Sequence, residues 1–384
     1  MSPDVSPGPL AGLRVVELAG IGPGPFAAML LADLGAEVVR VERPDGGNAI
    51  SPETDMTRRG RRSVVLDLKK PEGRRVALDL ASRADVLIEG YRPGVAEKLG
   101  LGPDDCWKRN PRLVYGRITG WGQDGPLSAS AGHDICYVGI TGALHAIGKP
   151  DQAPSVPLNL VGDYGGGSLF LVVGVLSAVI EAARSGKGQV VDAAIVDGTA
   201  ALTTLMHSMM AAGRWEDRRG ANLIDGGLPW YDVYKTLDDG FMAIGPLEPQ
   251  FYTEFLELMG LDSADGERTD PQNWPQLRER IATTFATKTR DQWSAIFEGT
   301  DACVAPVLSF TEAPAHPHNK ARGTFVEVDG VVQPAPAPRF SRTPATIRRG
   351  PVKPGSDTRR VLLDWGVDEV ESLLDSEAAI QAPD

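Results

Sequence analysis

Short Val- and Leu-rich runs that alternate with helical stretches constrain this chain more than any other feature. Residues 13–19 form an apolar run of strand length, broken by Gly20-Ile-Gly-Pro-Gly-Pro25. A helix is expected over 26–34, stopped by Gly35, and 36–42 is a second strand. Strand, helix and strand in that order make a βαβ unit. The pattern repeats with a strand over 63–68, a helix over 71–82 opened by Pro71 at its first position, and strands over 84–89 and 112–118. Helices are expected over 133–146, from Asp163 to Ser185-Gly-Lys-Gly188, and over 197–212, with a strand over 189–196 between the last two. Apolar strands alternating with helices predict an α/β fold: a doubly wound, mostly parallel sheet covered on both faces.

Beyond residue 212 the pattern changes. Residues 220–240 are turn-rich with aromatics and read as strands of a smaller α+β unit; helices follow over 250–259 and around 274–297. Gln333-Pro-Ala-Pro-Ala-Pro-Arg339 reads as a proline-rich linker, and 357–377 as a terminal helix pair.

Charge narrows the function. A net charge of −12 disfavours nucleic acid as a partner. Yet residues 40–112 hold 16 Lys+Arg against 12 Asp+Glu, so a locally basic segment sits in an acidic chain. Either it is a solvated face or it receives one polyanionic small molecule. Three cysteines, Cys106, Cys136 and Cys303, show no paired spacing, which predicts neither a disulfide framework nor a metal site and fits a reducing, cytoplasmic setting. The first nine residues lack the basic and apolar regions of a signal peptide. The longest apolar run, 169–180, is short for a bilayer span, so no membrane partner is expected.

Gly20-Ile-Gly22 after a strand, with Glu42 further on, invites a dinucleotide reading. The third glycine of that fingerprint is here Pro25, which cannot give the close helix–strand packing the glycine allows.

Three residues stand out as chemistry. His133, in Ala131-Gly-His-Asp-Ile-Cys-Tyr137, is one of five histidines and can act as base or acid at working pH, or be structural. Asp163, in Asn159-Leu-Val-Gly-Asp-Tyr-Gly-Gly-Gly-Ser168, falls at a helix start. There it either caps the helix or serves as a carboxylate that the helix dipole keeps ionised. Three glycines in the first turn are costly unless a ligand or another backbone must come close. Glu248, in Gly245-Pro-Leu-Glu-Pro-Gln250, is either an idle surface carboxylate or the group that orients the His133 imidazole.

At these residues the chain resembles the family III CoA-transferases, and within them the α-methylacyl-CoA racemases. The resemblance is carried in order by Leu13-Arg-Val-Val-Glu-Leu-Ala19, Gly35-Ala-Glu-Val-Val-Arg-Val-Glu-Arg-Pro44, Leu66-Asp-Leu-Lys69, Gly90-Tyr-Arg-Pro-Gly94, Gly120-Trp-Gly-Gln-Asp-Gly-Pro126, Gly132-His-Asp134, Asn159-Leu-Val-Gly-Asp163 and Gly186-Lys-Gly-Gln-Val-Val-Asp192. It implies a large domain built from residues 1–200 plus 330–384, a linker helix region over 201–219, a small domain over 220–329, and an interlocked homodimer. It implies an acyl-CoA substrate held by Arg40, Lys69, Tyr91, Arg92 and Lys98, with no cofactor and no metal.

In the racemases a histidine and an aspartate move a proton on and off the carbon next to the thioester. His133 and Asp163 match those positions. Transferase relatives use the matching aspartate as an acyl-accepting nucleophile, so that activity is the alternative, and a non-catalytic CoA-binding protein is a third reading. Relatives line the acyl pocket with methionines. Met206, Met209 and Met210 could contribute here, or be plain core, while Leu223 stands where a methionine is expected.

Overall fold

The computed structural model describes residues 8–46, 51–263 and 267–383. The leader reading at the N-terminus rests largely on residues outside that set. The chain divides into two compact units, one of residues 1–141, 158–202 and 320–384, the other of residues 142–157 and 203–319.

The first unit opens with β1 (Arg14–Leu18), α1 (Pro23–Asp33), β2 (Glu37–Glu42), β3 (Arg62–Leu66), α2 (Pro71–Ser82), β4 (Val86–Glu89), α3 (Val95–Lys98), α4 (Pro103–Trp107), β5 (Val114–Thr119) and α5 (Asp134–Gly139). The chain enters the second unit at α6 (Ala143–Ala146) and returns as one long helix. That helix begins at Leu160 as π-helix, the Tyr164 N–H reaching the Asn159 carbonyl at 3.1 Å, and continues as α7 (Phe170–Ser185). β6 (Val190–Ala194) and α8 (Ile195–Leu202) follow.

Six strands run parallel in the order β3-β2-β1-β4-β5-β6. Successive residues turn to opposite faces, as strand geometry requires. Val16, Leu18, Val39, Val41, Val64 and Leu66 face one core with Val76 and Leu80 of α2. Val15, Val38, Val86, Ile88 and Ile118 face the other, covered by Ala27, Ala28 and Leu31 of α1 and by Leu171, Val175 and Ala178 of α7. Burial on both faces is why these strands read as continuous apolar runs.

The second unit continues with α9 (Thr204–Ala211), β7 (Asp232–Lys235), β8 (Phe241–Ile244), α10 (Pro249–Met259), α11 (Trp274–Phe285), α12 (Arg290–Phe297) and β9 (Val304–Pro306). Its three strands form an antiparallel sheet over a core of Trp230, Tyr234, Phe255, Phe285, Trp293 and Phe297. Of the strands expected over 220–240, only β7 forms in its latter half. Asp225 collects the N–H groups of Gly220, Asn222 and Gly227 at 2.8–3.0 Å, and these local bonds compete with a ladder.

Back in the first unit come α13 (Pro317–Arg322, entered from residue 319), the hairpin β10 (Phe325–Val328) and β11 (Val331–Pro334), α14 (Thr358–Asp364), α15 (Val370–Asp375) and β12 (Ala379–Ile380). The two terminal helices cover α2's face of the sheet through Val361, Leu362, Trp365 and Leu373. β12 pairs antiparallel on β3, an addition the sequence pattern did not predict.

The division departs from the sequence boundaries at residues 142–157. Arg219 donates to the carbonyls of Lys149 (3.0 Å) and Gln152 (2.7 Å), and Lys149 pairs with Asp232 at 2.8 Å, which ties this segment to the second unit. The helix expected over 133–146 is interrupted at Gly142, whose φ is +85°.

Four arginines of the basic segment, Arg40, Arg58, Arg59 and Arg61, are at most 4% exposed. Glu17 on β1 pairs with Arg40 and with Arg61 (2.7 Å), Glu42 pairs with Arg58 (2.6 Å), and Asp33 pairs with Arg59 (2.6 Å). Burial raises the proton affinity of Glu17, but Arg40 and Arg61 outweigh it and hold the carboxyl below the ordinary range. A carboxyl depressed in the fold stabilises above its unfolded pKa, and that contribution is lost as pH falls through the folded value. Replacing Glu17 with Gln leaves buried Arg61 without its charge partner and buried Arg40 with Glu42 alone. Chemical denaturation should show a loss of about 3–5 kcal/mol; a loss below about 1 kcal/mol would refute the pairing as a structural element.

Candidate active site

The strand order reverses between β1 and β4, where a doubly wound sheet opens a crevice at its carboxyl edge. The loops leaving β1, β4, β5 and β6 wall a cavity of about 340 Å³ there, within the first unit. They contribute Gly22, Tyr91, Arg92, Trp121 and Ile195, and His133, Asp134, Tyr137 and Asp163 complete the lining. The structure thus brings His133 and Asp163 to one cavity.

His133 is the residue before α5, with extended backbone (φ −132°, ψ 170°), and its side chain makes no capping bond. Tyr137, one turn on, sets its ring edge-on to Trp121 at 4.7 Å and donates its hydroxyl to the Gly132 carbonyl. A Cβ at Gly120 would lie 2.0 Å from the Tyr137 ring, so that position has to be glycine.

Asp163 is not a helix cap. The helix starts three residues earlier and Asp163 lies inside its first π-helical turn. π-Helical segments recur at functional sites. Its N–H donates to Asp134 Oδ1 at 2.6 Å, so this amide is already engaged. Its Oδ2 lies 3.0 Å from where a Cβ on Gly22 would sit, and Gly22 holds φ +67°. The first glycine loop therefore makes room for a carboxylate rather than for a pyrophosphate.

The helix start does not hold Asp163 at the ordinary aspartate value, although the carboxyl stays mostly ionised at pH 7. Burial foremost, and the Asp134 charge next, push the carboxyl up to about 6, against the opposing effect of His133. A carboxyl poised there can both give and take a proton near neutrality.

Of the two reasons open for the glycines after Asp163, a close ligand or a close backbone, the structure shows the second at Gly166. A Cβ at Gly166 would lie 2.3 Å from Thr199 Oγ1 and 2.6 Å from Thr199 N, and one on Gly198 would lie 1.8 Å from the Gly166 carbonyl. Another backbone, that of α8, is what comes close.

The proposed CoA residues separate. Tyr91 and Arg92 line the cavity. Their loop is fixed by Glu89, which is 3% exposed, accepts the Tyr91 N–H at 2.7 Å and pairs with Arg117 at 3.2 Å; burial pushes this carboxyl up to about 7. Lys69 and Lys98 are exposed in the same unit and do not line the cavity. Arg40, expected to hold CoA, is buried, and its guanidinium meets Glu17, Glu42 and the Gly20 carbonyl (3.1 Å) inside the fold, groups with which a phosphate would have to compete.

Glu248 lies in the second unit, exposed, at the residue before α10. Met206, Met209 and Met210 lie on α9, none of whose residues is buried, so they are not core. Sequence reasoning missed Asp134, Trp121 and Tyr137. For Asp134 the signal was present, since it adjoins His133 in the Gly-His-Asp motif.

A cavity at the switch point that holds an imidazole beside a carboxyl titrating near neutrality, with an arginine in its wall, is equipped for acid/base chemistry on an anionic substrate. The chain belongs to the CoA-transferase family III, whose model it matches over residues 10–358. It is 46% identical over 371 residues to mouse alpha-methylacyl-CoA racemase, which covers 95% of each chain. With the human protein of that name it shares 44% over 378 residues, 97% of this chain and 98% of the other. The crystal structure of a Brucella suis CaiB/BaiF family protein matches with a TM-score of 0.81 and 28% identity, over 93% of this chain and 99% of that one.

Two outcomes test the site. In carboxyl-labelled protein followed by NMR, the signal that disappears in Asp163→Asn should titrate near pH 6; titration near 4 would refute the raised affinity. Gly166→Ala should lower stability by about 1–3 kcal/mol in a thermal melt, because the added methyl has no room against α8.

Proposed function

We propose that this chain is an alpha-methylacyl-CoA racemase that interconverts R and S 2-methylacyl-CoA thioesters, with His133 and Asp163 as its two acid/base groups. The single observation that carries the mechanism is their meeting in one cavity, with the Asp163 carboxyl lifted to about 6. The identity of 44–46% to two racemases over nearly the whole chain supports the activity.

The chemistry follows from need. The thioester carbonyl acidifies the α-hydrogen, and removing it leaves an enolate. Inversion then requires a proton from the opposite face, hence two groups rather than one. With the S epimer His133 takes the proton and protonated Asp163 returns one; with the R epimer the roles exchange. Each positioned group contributes about 10²–10⁴ in rate. The enolate oxygen needs N–H donors. The Asp163 amide is committed to Asp134 and the Cys136 amide to the His133 carbonyl (2.8 Å), so the amides of Asp134 and Ile135 at the start of α5 are the proposed donors. The proton transfer calls for no cofactor. Tyr91 and Arg92 are proposed to hold the CoA part, with Lys69 and Lys98 as outer contacts, and Glu248 is assigned the orienting of His133 on the resemblance alone.

We further propose a homodimer. Leu160, Leu169, Phe170, Val173 and Ile180 on the long helix, and Leu202 and Leu205 beside it in sequence, are 38–64% exposed in the single chain. The 26-residue helix Leu160–Ser185 is long and apolar enough to cross a membrane by length and composition. Its inner face packs on the sheet, and its outer face is proposed to meet a second copy rather than lipid. The methionines of α9 remain candidates for the acyl pocket. All three cysteines are free, in keeping with the proposed cytoplasmic setting.

A single epimer of 2-methylacyl-CoA, incubated in D₂O, should lose its α-proton NMR signal as the other epimer appears. Both changes should vanish in a His133→Ala/Asp163→Ala variant. No exchange, with acyl transfer to an added carboxylic acid instead, would make Asp163 a nucleophile and overturn the racemase reading.

A further inference from the structure

The side chain of the residue after His133 has no role in the two-base scheme, yet it reaches the backbone of Asp163. Asp134 lines the cavity beside His133 and Asp163. Its Oδ1 accepts the Asp163 N–H at 2.6 Å. A Cβ on Gly162 would lie 2.3 Å from that same oxygen, so the chain before Asp163 is kept bare to let the carboxylate in. Its Oδ2 is buried and finds no hydrogen-bond partner among the described residues. A carboxylate with one oxygen engaged and the other left bare is costly to place against a second carboxylate.

We infer that Asp134 is a positioning residue for the racemisation site: it fixes the backbone of Asp163 through Oδ1, and its charge sets how readily Asp163 holds a proton.

The inference rests on the two-base reading and deepens it. Like charges at close range disfavour a second ionisation, and the opposing charge of His133 does not cancel this one. The groups facing Asp163 are Asp134, His133 and Tyr137, all from α5 and the residue before it. The charge of Arg92, on the loop after β4, reaches Tyr137. Among these, Asp134 is the anion, and it acts in the same direction as burial. An aspartate with the ordinary affinity would be a poor acid at neutral pH when the S epimer requires it to deliver a proton. Asp134 corrects that without touching the substrate's α-carbon.

Asp134→Asn keeps an oxygen to accept the Asp163 N–H and removes the charge; Asp134→Ala removes both. The α-proton exchange of wild type with each epimer comes first, since its absence would sink the racemase reading itself rather than this one. With exchange established, kcat/KM is measured against pH for R and S substrates separately. With the R epimer Asp163 must be ionised in the free enzyme, so the rate climbs with pH through the Asp163 value near 6. In Asp134→Asn that climb should move to lower pH, raising the rate at pH 5 several-fold relative to that at pH 8. Asp134→Ala should lose rate at every pH, because the Asp163 backbone is no longer held. An unshifted climb in Asp134→Asn, whether its rate is normal or uniformly reduced, would overturn the charge role. Full activity in Asp134→Ala would overturn the positioning role.

Discussion

Glu17 is the residue on which the rest of the large unit leans. It sits at 1% exposure in the strand where the sheet changes direction, with Arg40 from the next strand and Arg61 from the approach to β3 closing on it. Arg61 also donates to the Pro25 carbonyl at 2.9 Å, which ties the start of α1 to the same cluster. Ions so deep are retained only when each finds its partner. The cluster therefore fixes β1, β2, β3 and α1 relative to one another, and with them the Gly22 turn that borders the cavity.

That turn shows how packing becomes chemistry. Gly22 stands bare at a positive φ, and the space it leaves is filled by the Asp163 carboxylate. Asp163 arrives there because the helix carrying it begins as π-helix and because α8 presses against Gly166. Close helix packing removes water from the carboxyl, and loss of water raises its affinity for a proton. The same contacts that stabilise the fold thus tune the acid.

Relatives of the family divide between transferring CoA and racemising the acyl chain, and fold does not decide between them. In this chain the cavity that holds Asp163 also holds an imidazole, on the residue before α5, and that is the group the proposed inversion needs as a second proton carrier.

The α/β architecture was legible in the sequence, because strands β1 to β5, buried on both faces, leave apolar runs and Pro71 marks its helix start. The motifs singled out His133 and Asp163, and the structure brings both to one cavity. Hidden from the sequence was everything set by contacts between distant segments. Arg40 looked like a phosphate ligand, and the structure pairs it with Glu17. The glycines after Asp163 called for a close ligand or a close backbone, and the structure shows the backbone of α8 there. Asp163 looked like an ordinary acidic carboxylate, and burial and Asp134 raise its affinity for a proton. Local periodicity and motif fix which elements form and which residue types are on offer. The availability of a charge, the purpose of a glycine and the affinity for a proton are set by neighbours far away in the chain, and only the tertiary structure supplies those.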